Sequence, residues 1–390
     1  MSERASKLLS ELSARTRQVG ATAEPLLADM SETAGALRAL ALLSEAGLTA
    51  WTVPQAHGGA DCGGLAGPDE VSVRALCVLR SALAYHSGLL DVMLVMQGLG
   101  SYAIARAGSQ TLKEQWLPRV AAGERIAAFA LTEPEAGSDL GGIATRAERR
   151  GDRWRLTGAK TFISNCGIAD LYTLLARTSG QSGDGGQGSL TMFLVPADAA
   201  GLSARRFEVT APHPIGELAL DGVEVDEALR LGAVGAGLEL ALAVLGRFRT
   251  SVAAAANGFA RRALDEALAH LRARRQFGRP LSAFQGLRFE LAEMDARLRA
   301  AELLVDEAAA AVDRGQRAAA EVARAKLVAT ETASWLCDRA VQHLGGQGVR
   351  RGSVVERLWR EARALRIYEG TSEVQKLILA RELLEGPAGS

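Results

Sequence analysis

The sequence predicts a mostly helical α+β protein, in which a small antiparallel, β-barrel-like domain separates an N-terminal helical domain from a C-terminal four-helix bundle. Apolar residues recur at helical spacing up to about residue 125 and again after about residue 236. Between these limits, short strand-length runs follow one another without any helix long enough for a βαβ crossover, which favours an antiparallel sheet over a Rossmann unit. The predicted domains are therefore residues 1–125, 126–235 and 236–390.

The N-terminal domain begins with an amphipathic helix, in which Leu8, Leu9 and Leu12 have helical spacing. The segment 75–105 is a largely apolar helical stretch broken by glycines. Pro54 and the glycine pair that follows it predict a loop between these helical segments.

The middle domain is predicted from short apolar runs bounded by turn residues. The predicted strands are 126–131, 153–156, 161–163, 171–175, 190–195 and 218–225. The stretch 179–188, SGQSGDGGQG, has the composition of a flexible loop between two of them.

The C-terminal domain is predicted from apolar residues that recur every three or four positions, as in an amphipathic helix. Ala-rich helices follow at 317–344 and 354–367, and a last helix begins near Thr371. Long amphipathic helices joined by short loops form a bundle.

Composition excludes several classes of protein. Lys plus Arg and Asp plus Glu both total 45, so the net charge is zero and a nucleic-acid or polybasic membrane protein is not expected. The four cysteines and five histidines form no zinc or disulfide pattern, so no metal is expected. No apolar run approaches the roughly 20 residues of a membrane span, and the N-terminus lacks a signal-peptide core, which predicts a cytoplasmic protein. Only five of the 45 basic residues are Lys, an Arg excess typical of a GC-rich genome.

Two stretches could each bind a ligand or be an ordinary turn. In ALTEPEAGSDLGG (130–142), Ala136 and Gly137 would let the backbone approach a ligand closely, and the alternative is a tight polar turn capped by Asp139. In RRQFGRPLSAFQ (274–285), arginines beside a turn could pair with phosphate, and the alternative is a helix corner with solvated arginines.

Two later stretches are open in the same way. QHLGGQG (342–348) ends a helix in a glycine loop whose amides could hold an anion, although a plain C-cap explains it equally well. In IYEGTSEVQ (367–375), Glu369 precedes a glycine that breaks the helix, so its carboxylate either points into the resulting cavity or is solvated. Thr371 or Ser372 could cap the next helix.

In combination, the four stretches resemble the acyl-CoA dehydrogenase family, in the right order and at the right separations, over essentially the whole chain. ALTEPEAGSDLGG matches one family signature at every defining position. QHLGGQGV…ERLWRE matches the other, departing at Gly352, where the family usually has an acidic or amide residue. The resemblance implies the same helix–β–helix architecture, non-covalently bound FAD and the dehydrogenation of an acyl thioester.

The resemblance also implies where FAD is held, between the β domain and the C-terminal bundle. The positions that match flavin-ring contacts are Phe129, Leu131, Thr132, Phe162, Ile163 and Ser164. Ser138 matches a contact to the flavin phosphate or the acyl thioester, and Thr371 and Glu373 match contacts to the local FAD. The positions that match contacts to a neighbouring subunit's FAD are Arg274, Gln276, Phe277, Gln285, Gln342, Leu344, Gly345 and Gly346.

The resemblance places Glu369 at the catalytic base and Arg249 beside it, with Ser138 and Gly370 also at the substrate. The α-proton of a thioester is a weak acid, so the base must be desolvated and the forming enolate stabilised. The Glu369 N–H and an FAD ribitol hydroxyl would hold the thioester oxygen. Glu369 would take the α-proton while the β-hydride goes to flavin N5, giving a trans-2-enoyl thioester and FADH₂.

Three departures from the family pattern, His270, Asp61 and Gly352, leave loop shape and substrate fit open. One alternative is the same chemistry on an acyl group bound to a carrier protein in a biosynthetic pathway. A flavin-dependent monooxygenase of this fold would not need Glu369, and an acyl-CoA oxidase usually has an extra C-terminal domain. A non-enzymatic helical scaffold would have no reason to keep the Glu-Gly-Thr corner.

The implied partners are an acyl thioester of CoA or a carrier protein and an electron-transfer flavoprotein or another acceptor, in fatty acid metabolism. A homodimer or homotetramer is expected, because Arg274 and the 342–346 loop would reach a neighbour's FAD. The segment 89–99, with Met93, Met96 and Gln97, forms either the floor of the acyl pocket or ordinary core.

Overall fold

The computed structural model describes residues 3–179 and 188–386, and it has the helix–sheet–helix layout that the sequence predicts. The loop predicted at 179–188 lies outside the described residues except for its two ends. The fold class is confirmed. The helices are α1 (Glu3–Leu27), α2 (Glu32–Glu45), α3 (Val73–His86), α4 (Gly88–Ala107), α5 (Gln110–Ala121), α6 (Gly237–Ala273), α7 (Gln285–Asp313), α8 (Ala319–Leu344), α9 (Val354–Leu365) and α10 (Ser372–Glu385).

The strands lie between α5 and α6, apart from one short hairpin. They are β1 (Ala127–Ala130), β2 (Arg146–Arg150), β3 (Arg153–Ser164), β4 (Leu171–Arg177), β5 (Leu190–Pro196), β6 (Leu202–Arg206), β7 (Ile215–Asp226) and β8 (Arg230–Leu231), with β9 (Arg275–Gln276) and β10 (Arg279–Pro280) in the hairpin.

The described residues form two compact units. The first unit contains residues 3–5, 22–72 and 92–248, and the second contains 6–21, 73–91 and 249–386. The unit boundaries fall within α1, α4 and α6, so these helices contribute residues to both units. The three domain boundaries inferred from the sequence stay a prediction.

The sheet of the first unit has the strand order β6-β7-β3-β2-β4-β5-β8, with β1 beside β4. Most pairs are antiparallel, as predicted, but β1 and β2 each pair with β4 in parallel. A parallel pair needs a long connection between its strands, and β2 and β3 supply it between β1 and β4. β4 is buried along its whole length, including its polar residues Thr173 and Arg177, which is typical of a strand covered on both faces.

A bulge interrupts the pairing of β3 with β7 between Lys160 and Ile163. Phe162 lies in this bulge with a φ of 55°, and 60% of its surface is exposed. A bulge re-aims a side chain that regular alternation would have directed elsewhere. The two residues that bound the bulge, Lys160 and Ile163, are by contrast buried.

The core of the second unit is built largely from alanines on α6, α7 and α8, together with residues of α3 and α9. α7 packs on α8, and α8 also contacts α9 and α10. Small side chains at helix contacts permit close approach of the helix axes. The helical bundle predicted after residue 236 is therefore present, with α9 and α10 packed on α8.

α4 is long and apolar enough to cross a membrane by length and composition, which differs from the expectation that no run approaches that length. Of the apolar 18-residue stretch within α4 that could span a membrane, 83% is buried inside the protein, as is usual for a core helix. This helix is therefore weak evidence for a membrane span.

Candidate active site

Glu369 lies in the turn that joins α9 to α10. The turn begins where the Ile367 N–H donates to Ala364 O, and two left-handed residues follow, Glu369 with a φ of 53° and Gly370 with a φ of 95°. The positive φ favours glycine at Gly370, and a β-carbon there would lie 2.6 Å from Nε2 of Gln375, whose side chain would have to shift. The sequence Glu-Gly thus forms a sharp break that α9 could not make as a regular helix.

Three side chains hold the two carbonyl groups of this break. Arg249 Nε donates to Glu369 O at 2.8 Å. Gly370 O accepts from Lys326 Nζ at 2.5 Å and from Gln375 Nε2 at 3.0 Å. A non-glycine residue in the left-handed region costs about 1–3 kcal/mol, so it persists only where its surroundings fix it. These three donors fix it here.

The start of α10 is capped and tied to α8. Thr371 Oγ1 accepts from the N–H of Val374, so Thr371, rather than Ser372, is the N-cap of the two candidates that the sequence offers. Ser372 Oγ and Arg366 Nε both donate to Glu331 Oε1, at 2.6 and 2.9 Å. The turn is therefore anchored on both sides of Glu369.

The carboxylate of Glu369 has one buried oxygen that lacks a hydrogen-bond partner among the described residues. Its Oε2 atom is buried, and within residues 3–179 and 188–386 nothing donates a hydrogen bond to it. Burial raises the pKa of Glu369 above its usual value, and the charges of Arg80, Arg249 and Lys326 oppose that rise. A carboxyl group with a buried, unbonded oxygen and a raised pKa is typical of a general base.

Arg80 is a buried cation close enough to act on Glu369, but its hydrogen bonds are directed elsewhere. Its guanidinium makes a bidentate pair with Asp91, at 2.7 and 2.8 Å, and Nη1 donates to Ser251 at 2.9 Å. A guanidinium group that makes both bonds of such a pair is held in a fixed orientation. Arg80 therefore influences Glu369 through its field.

In the first unit, the loop that follows β1 is held by a second buried carboxylate. Glu133 accepts from Lys160 Nζ at 2.7 Å and from the N–H groups of Ala144 and Thr145. Lys160 also donates to Leu131 O at 3.0 Å, and its side chain is fully buried. This ion pair lies between two stretches that the sequence assigned to the flavin.

The structure brings those two stretches together. The N–H of Thr161 donates to Thr132 O at 2.9 Å, so the end of β3 runs beside the residues that follow β1. Phe129 and Thr132 are partly exposed, Ser138 is exposed, and Ser164 Oγ lies 3.2 Å from His213 Nε2. Leu131 and Ile163 are buried, so their side chains are not available to a flavin and any contact would use their backbone.

The positions assigned to a neighbour's FAD lie on the second unit. Arg274 and His343 both act electrostatically on His270, so the turn after α6 lies close to the end of α8. His343 also bonds Glu290 of α7 at 2.6 Å. The exposed members of this set are Arg274, Gln276, Phe277, Gln285, Gln342, Gly345 and Gly346, and Leu344 is half-buried. Phe277 is 91% exposed, which is unusual for a large apolar side chain.

Sequence reasoning missed Lys326, Lys160 and Glu133. A signal was present, because the chain uses Lys at only five of its 45 basic positions. Two of those five, Lys160 and Lys326, are fully buried. Both of these lysines place a compact ammonium group where a larger guanidinium would be harder to enclose.

Two other residues named in the sequence analysis, Gln97 and Asp61, make structural hydrogen bonds. Gln97 is buried and bonds Val120 O, Arg125 O and the Ala127 N–H, so its amide serves the core. Asp61 bonds the Gly63 N–H and pairs with Arg4 at 3.3 Å. In the described ranges, no group of three or more His, Cys, Asp or Glu is placed to hold a metal ion.

Gly352, where the family usually has an acidic or amide residue, has a φ of 87°. That backbone conformation favours glycine, and a β-carbon there would meet no atom within 4 Å. The departure from the family pattern therefore fits the local turn without affecting the core.

Three family models match the chain: acyl-CoA dehydrogenase N-terminal domain over residues 11–124, middle domain over 128–223 and C-terminal domain over 235–384. Cyclohexane-1-carbonyl-CoA dehydrogenase of Geobacter metallireducens is 34% identical over 352 residues, 90% of each chain. The structure is similar to butyryl-CoA dehydrogenase from Megasphaera elsdenii, with a TM-score of 0.89, 29% identity and coverage of 98% of this chain and 99% of that one. It is also similar to a glutaryl-CoA dehydrogenase from Mycobacterium smegmatis in complex with FADH₂, with a TM-score of 0.80, 26% identity and 96% of each chain covered.

Proposed function

The chain belongs to the acyl-CoA dehydrogenase family, and from that membership we propose that it converts a saturated acyl-CoA to the trans-2-enoyl-CoA with Glu369 as the base. The family consists of FAD-dependent oxidoreductases acting on acyl-CoA, so the enzyme class and the cofactor expected from the sequence are confirmed. The observation that carries the proposal is the buried Oε2 atom of Glu369, which accepts no hydrogen bond from the described residues.

The residues present fit FAD. Phe162 offers an exposed aromatic ring in a bulge, and β-carbons on Gly137, Gly345 and Gly346 would meet no atom within 4 Å, so backbone is open to a ligand at these positions. When bound, FAD supplies the acceptor for the two electrons and the hydrogen that leave Cβ of the acyl group. We propose that the sequence-assigned residues named above hold it, with Leu131 and Ile163 contributing backbone only.

Glu369 is proposed to take the proton from Cα. Its raised pKa brings the carboxylate closer to the acidity of the proton that it removes, which a solvated carboxylate could not approach. The unpaired Oε2 leaves a lone pair free for that proton. Arg249, which bonds the Glu369 carbonyl, keeps the carboxylate's backbone in place.

The thioester oxygen is proposed to accept a hydrogen bond from the N–H of Glu369. In the described part of the chain this N–H donates to no acceptor, and neither does the N–H of Gly370. Negative charge grows on the thioester oxygen as the α-proton leaves, and a fixed donor stabilises it most at that moment. One residue would thus supply both the base and a donor for the enolate.

The placement of Glu369 favours dehydrogenation over the monooxygenase alternative. A monooxygenase that borrows reduced flavin has no use for a carboxylate with a buried, unbonded oxygen at this position. Keeping such a group costs stability, because burial disfavours its charge. Such a destabilising carboxylate is expected only where the reaction needs it.

We further propose the finer points that family membership leaves open. The acyl carrier is CoA, the electrons pass to an electron-transfer flavoprotein or another acceptor, and the assembly is a homodimer or homotetramer of three-domain chains divided at about residues 125 and 235. The proposed setting is fatty acid metabolism in the cytoplasm.

The test is anaerobic bleaching of the flavin absorbance by a panel of acyl thioesters, each acyl group offered on CoA and on a carrier protein. We expect bleaching, with the CoA ester faster by roughly tenfold, which corresponds to about 1.4 kcal/mol. A faster reaction with the carrier-bound ester would overturn the choice of CoA. Absence of bleaching by every thioester would overturn the dehydrogenase proposal.

A further inference from the structure

Lys326 is a fully buried lysine on α8 whose ammonium group lies beside the Glu369 turn. Its Nζ donates to Gly370 O at 2.5 Å, across 44 residues of sequence. Burying an ammonium group is costly, and burial lowers the pKa of Lys326 to about 8. Lys326 is one of only five lysines in the chain, and it stands at a position where its charge carries this cost.

The hydrogen bond of Lys326 supports a backbone conformation that is unfavourable by itself. Glu369 and Gly370 are consecutive left-handed residues, and only the second is a glycine. Lys326 and Gln375 hold Gly370 O, while Arg249 holds Glu369 O. Releasing Gly370 O from its charged donor would let the Glu369 backbone relax and would change where the carboxylate points.

Lys326 also differs from Arg80 in how its charge is balanced. Arg80 is paired bidentately with Asp91, whereas Lys326 forms no ion pair within 4 Å in the described ranges. The charged groups that act on Lys326 are Glu369, Arg249, Glu331 and Glu373. Those that act on Glu369 are Arg80, Arg249, Lys326 and Asp91. No direct ionic partner in the described part of the chain therefore offsets the electrostatic effect of Lys326 on Glu369.

We propose that Lys326 is a positioning residue for proton abstraction: its bond to Gly370 O fixes the turn that presents Glu369, and its charge stabilises the Glu369 carboxylate. This inference rests on the proposed role of Glu369 as the base. Lys326 touches neither the acyl group nor the cofactor in this scheme. It acts through Glu369.

The experiment compares Lys326→Met, Lys326→Gln and Lys326→Arg in the FAD-loaded enzyme, with the exposed Lys376→Met as the matched control. For each variant, kcat and KM for the best acyl-CoA are measured from about pH 5 to 9, with FAD content checked by absorbance. Removing a positive charge near a carboxylate raises its pKa, and activity requires the carboxylate form. The acid limb of the kcat profile should therefore move to higher pH.

For Lys326→Met we expect kcat at about pH 7 to fall about tenfold, the acid limb to rise by about one pH unit, and KM to stay within about threefold. Lys326→Gln keeps a donor without the charge, so it should recover part of kcat at high pH while keeping the shifted limb. Lys326→Arg should return the limb to its wild-type position, because it keeps the charge. Lys376→Met should match the wild type throughout.

An unshifted acid limb in Lys326→Gln would overturn the proposal, and this variant decides the matter even if Lys326→Met fails to fold. A merely structural lysine would lower stability or FAD content without moving the limb. The two proposals fail differently. If the wild type turns over and Glu369→Gln does not, an unmoved limb rejects the role of Lys326 alone. If Glu369→Gln retains turnover, the base assignment itself is rejected.

Discussion

The two fully buried lysines of this chain lie beside glutamates whose pKa values are shifted in opposite directions. Lys160 pairs directly with Glu133, which also accepts two backbone N–H bonds, and the pKa of Glu133 is lowered. Lys326 instead bonds a backbone carbonyl, and the pKa of Glu369 is raised by burial. In both places the pKa of the lysine is lowered to about 8. The two carboxylates differ in their hydrogen bonds: those of Glu133 occupy its oxygens, whereas Glu369 has one oxygen that accepts none from the described residues.

A carboxylate whose oxygens are all bonded is a structural anchor, because taking up a proton would break the bonds that hold it. A carboxylate with one buried, unbonded oxygen can take up a proton without losing a hydrogen bond there. The comparison therefore assigns Glu133 to the architecture of the first unit and proposes Glu369 for the chemistry of the second.

The strongest test of this difference is Glu369→Gln. We expect kcat to fall by on the order of 10²–10⁴, because a positioned proton acceptor contributes that much, while the protein keeps its fold and its FAD. The measurement is anaerobic flavin bleaching by the best acyl-CoA, with the exposed Glu307→Gln on α7 as control. Near-normal turnover in Glu369→Gln would show that Glu369 is not the base.

Glu133→Ala should show the opposite pattern, with a large effect on stability. Removing one partner of a buried ion pair leaves the other charge uncompensated, so we expect a loss of about 3–5 kcal/mol in the free energy of unfolding. Denaturant unfolding of the wild type, Glu133→Ala and the exposed Glu135→Ala measures it. If Glu133→Ala were as stable as Glu135→Ala, Glu133 would not be an anchor.

The two glutamates should also differ in how they make stability depend on pH. The folded-state pKa of Glu133 is lowered from 4.5, so its stabilising effect is complete above about pH 4.5 and is lost as pH falls through the folded-state value. The pKa of Glu369 is raised, so its charged form costs stability at neutral pH and the cost disappears in acid. The gap between wild type and Glu133→Ala should therefore narrow at low pH.

For Glu369→Gln the pH trend should run the other way. The variant should equal or exceed the wild type in stability at about pH 7, and this advantage should shrink as pH falls and Glu369 takes up its proton. Unfolding curves at about pH 7 and about pH 4 test both trends. The same sign of change for the two variants would contradict the comparison.

The smallest expected effect concerns Arg274, which tests whether the site needs a second copy of the chain. Arg274→Ala should weaken FAD retention by about tenfold, because one charged hydrogen bond to phosphate is lost. FAD content after dialysis and light scattering measure this, with the exposed Arg272→Ala as control. A monomer that holds stoichiometric FAD would contradict the assembly proposal.

Much of the fold could be predicted from the sequence, because local rules decide it. Helical periodicity placed α6 to α10 near their observed limits, and short apolar runs predicted β1, β4, β5 and parts of β3 and β7. The strands β2, β6 and β8 were not predicted, because they are short or largely polar. The parallel pairing of β1 and β2 with β4 could not be predicted, because strand order depends on contacts between segments distant in sequence. The order in which the strands pair is therefore known only from the folded structure.

The sequence by itself determined the family, the cofactor class and the Glu-Gly-Thr corner, since each is written in consecutive residues. Only the tertiary structure decided what holds that corner: Arg249 is 120 residues from Glu369, and Lys326 is 44 residues from Gly370. It also decided that Lys160 meets Glu133, 27 residues away. A motif fixes which groups are present, whereas burial and hydrogen bonding, which set whether a carboxylate is an anchor or a base, exist only after distant segments pack together.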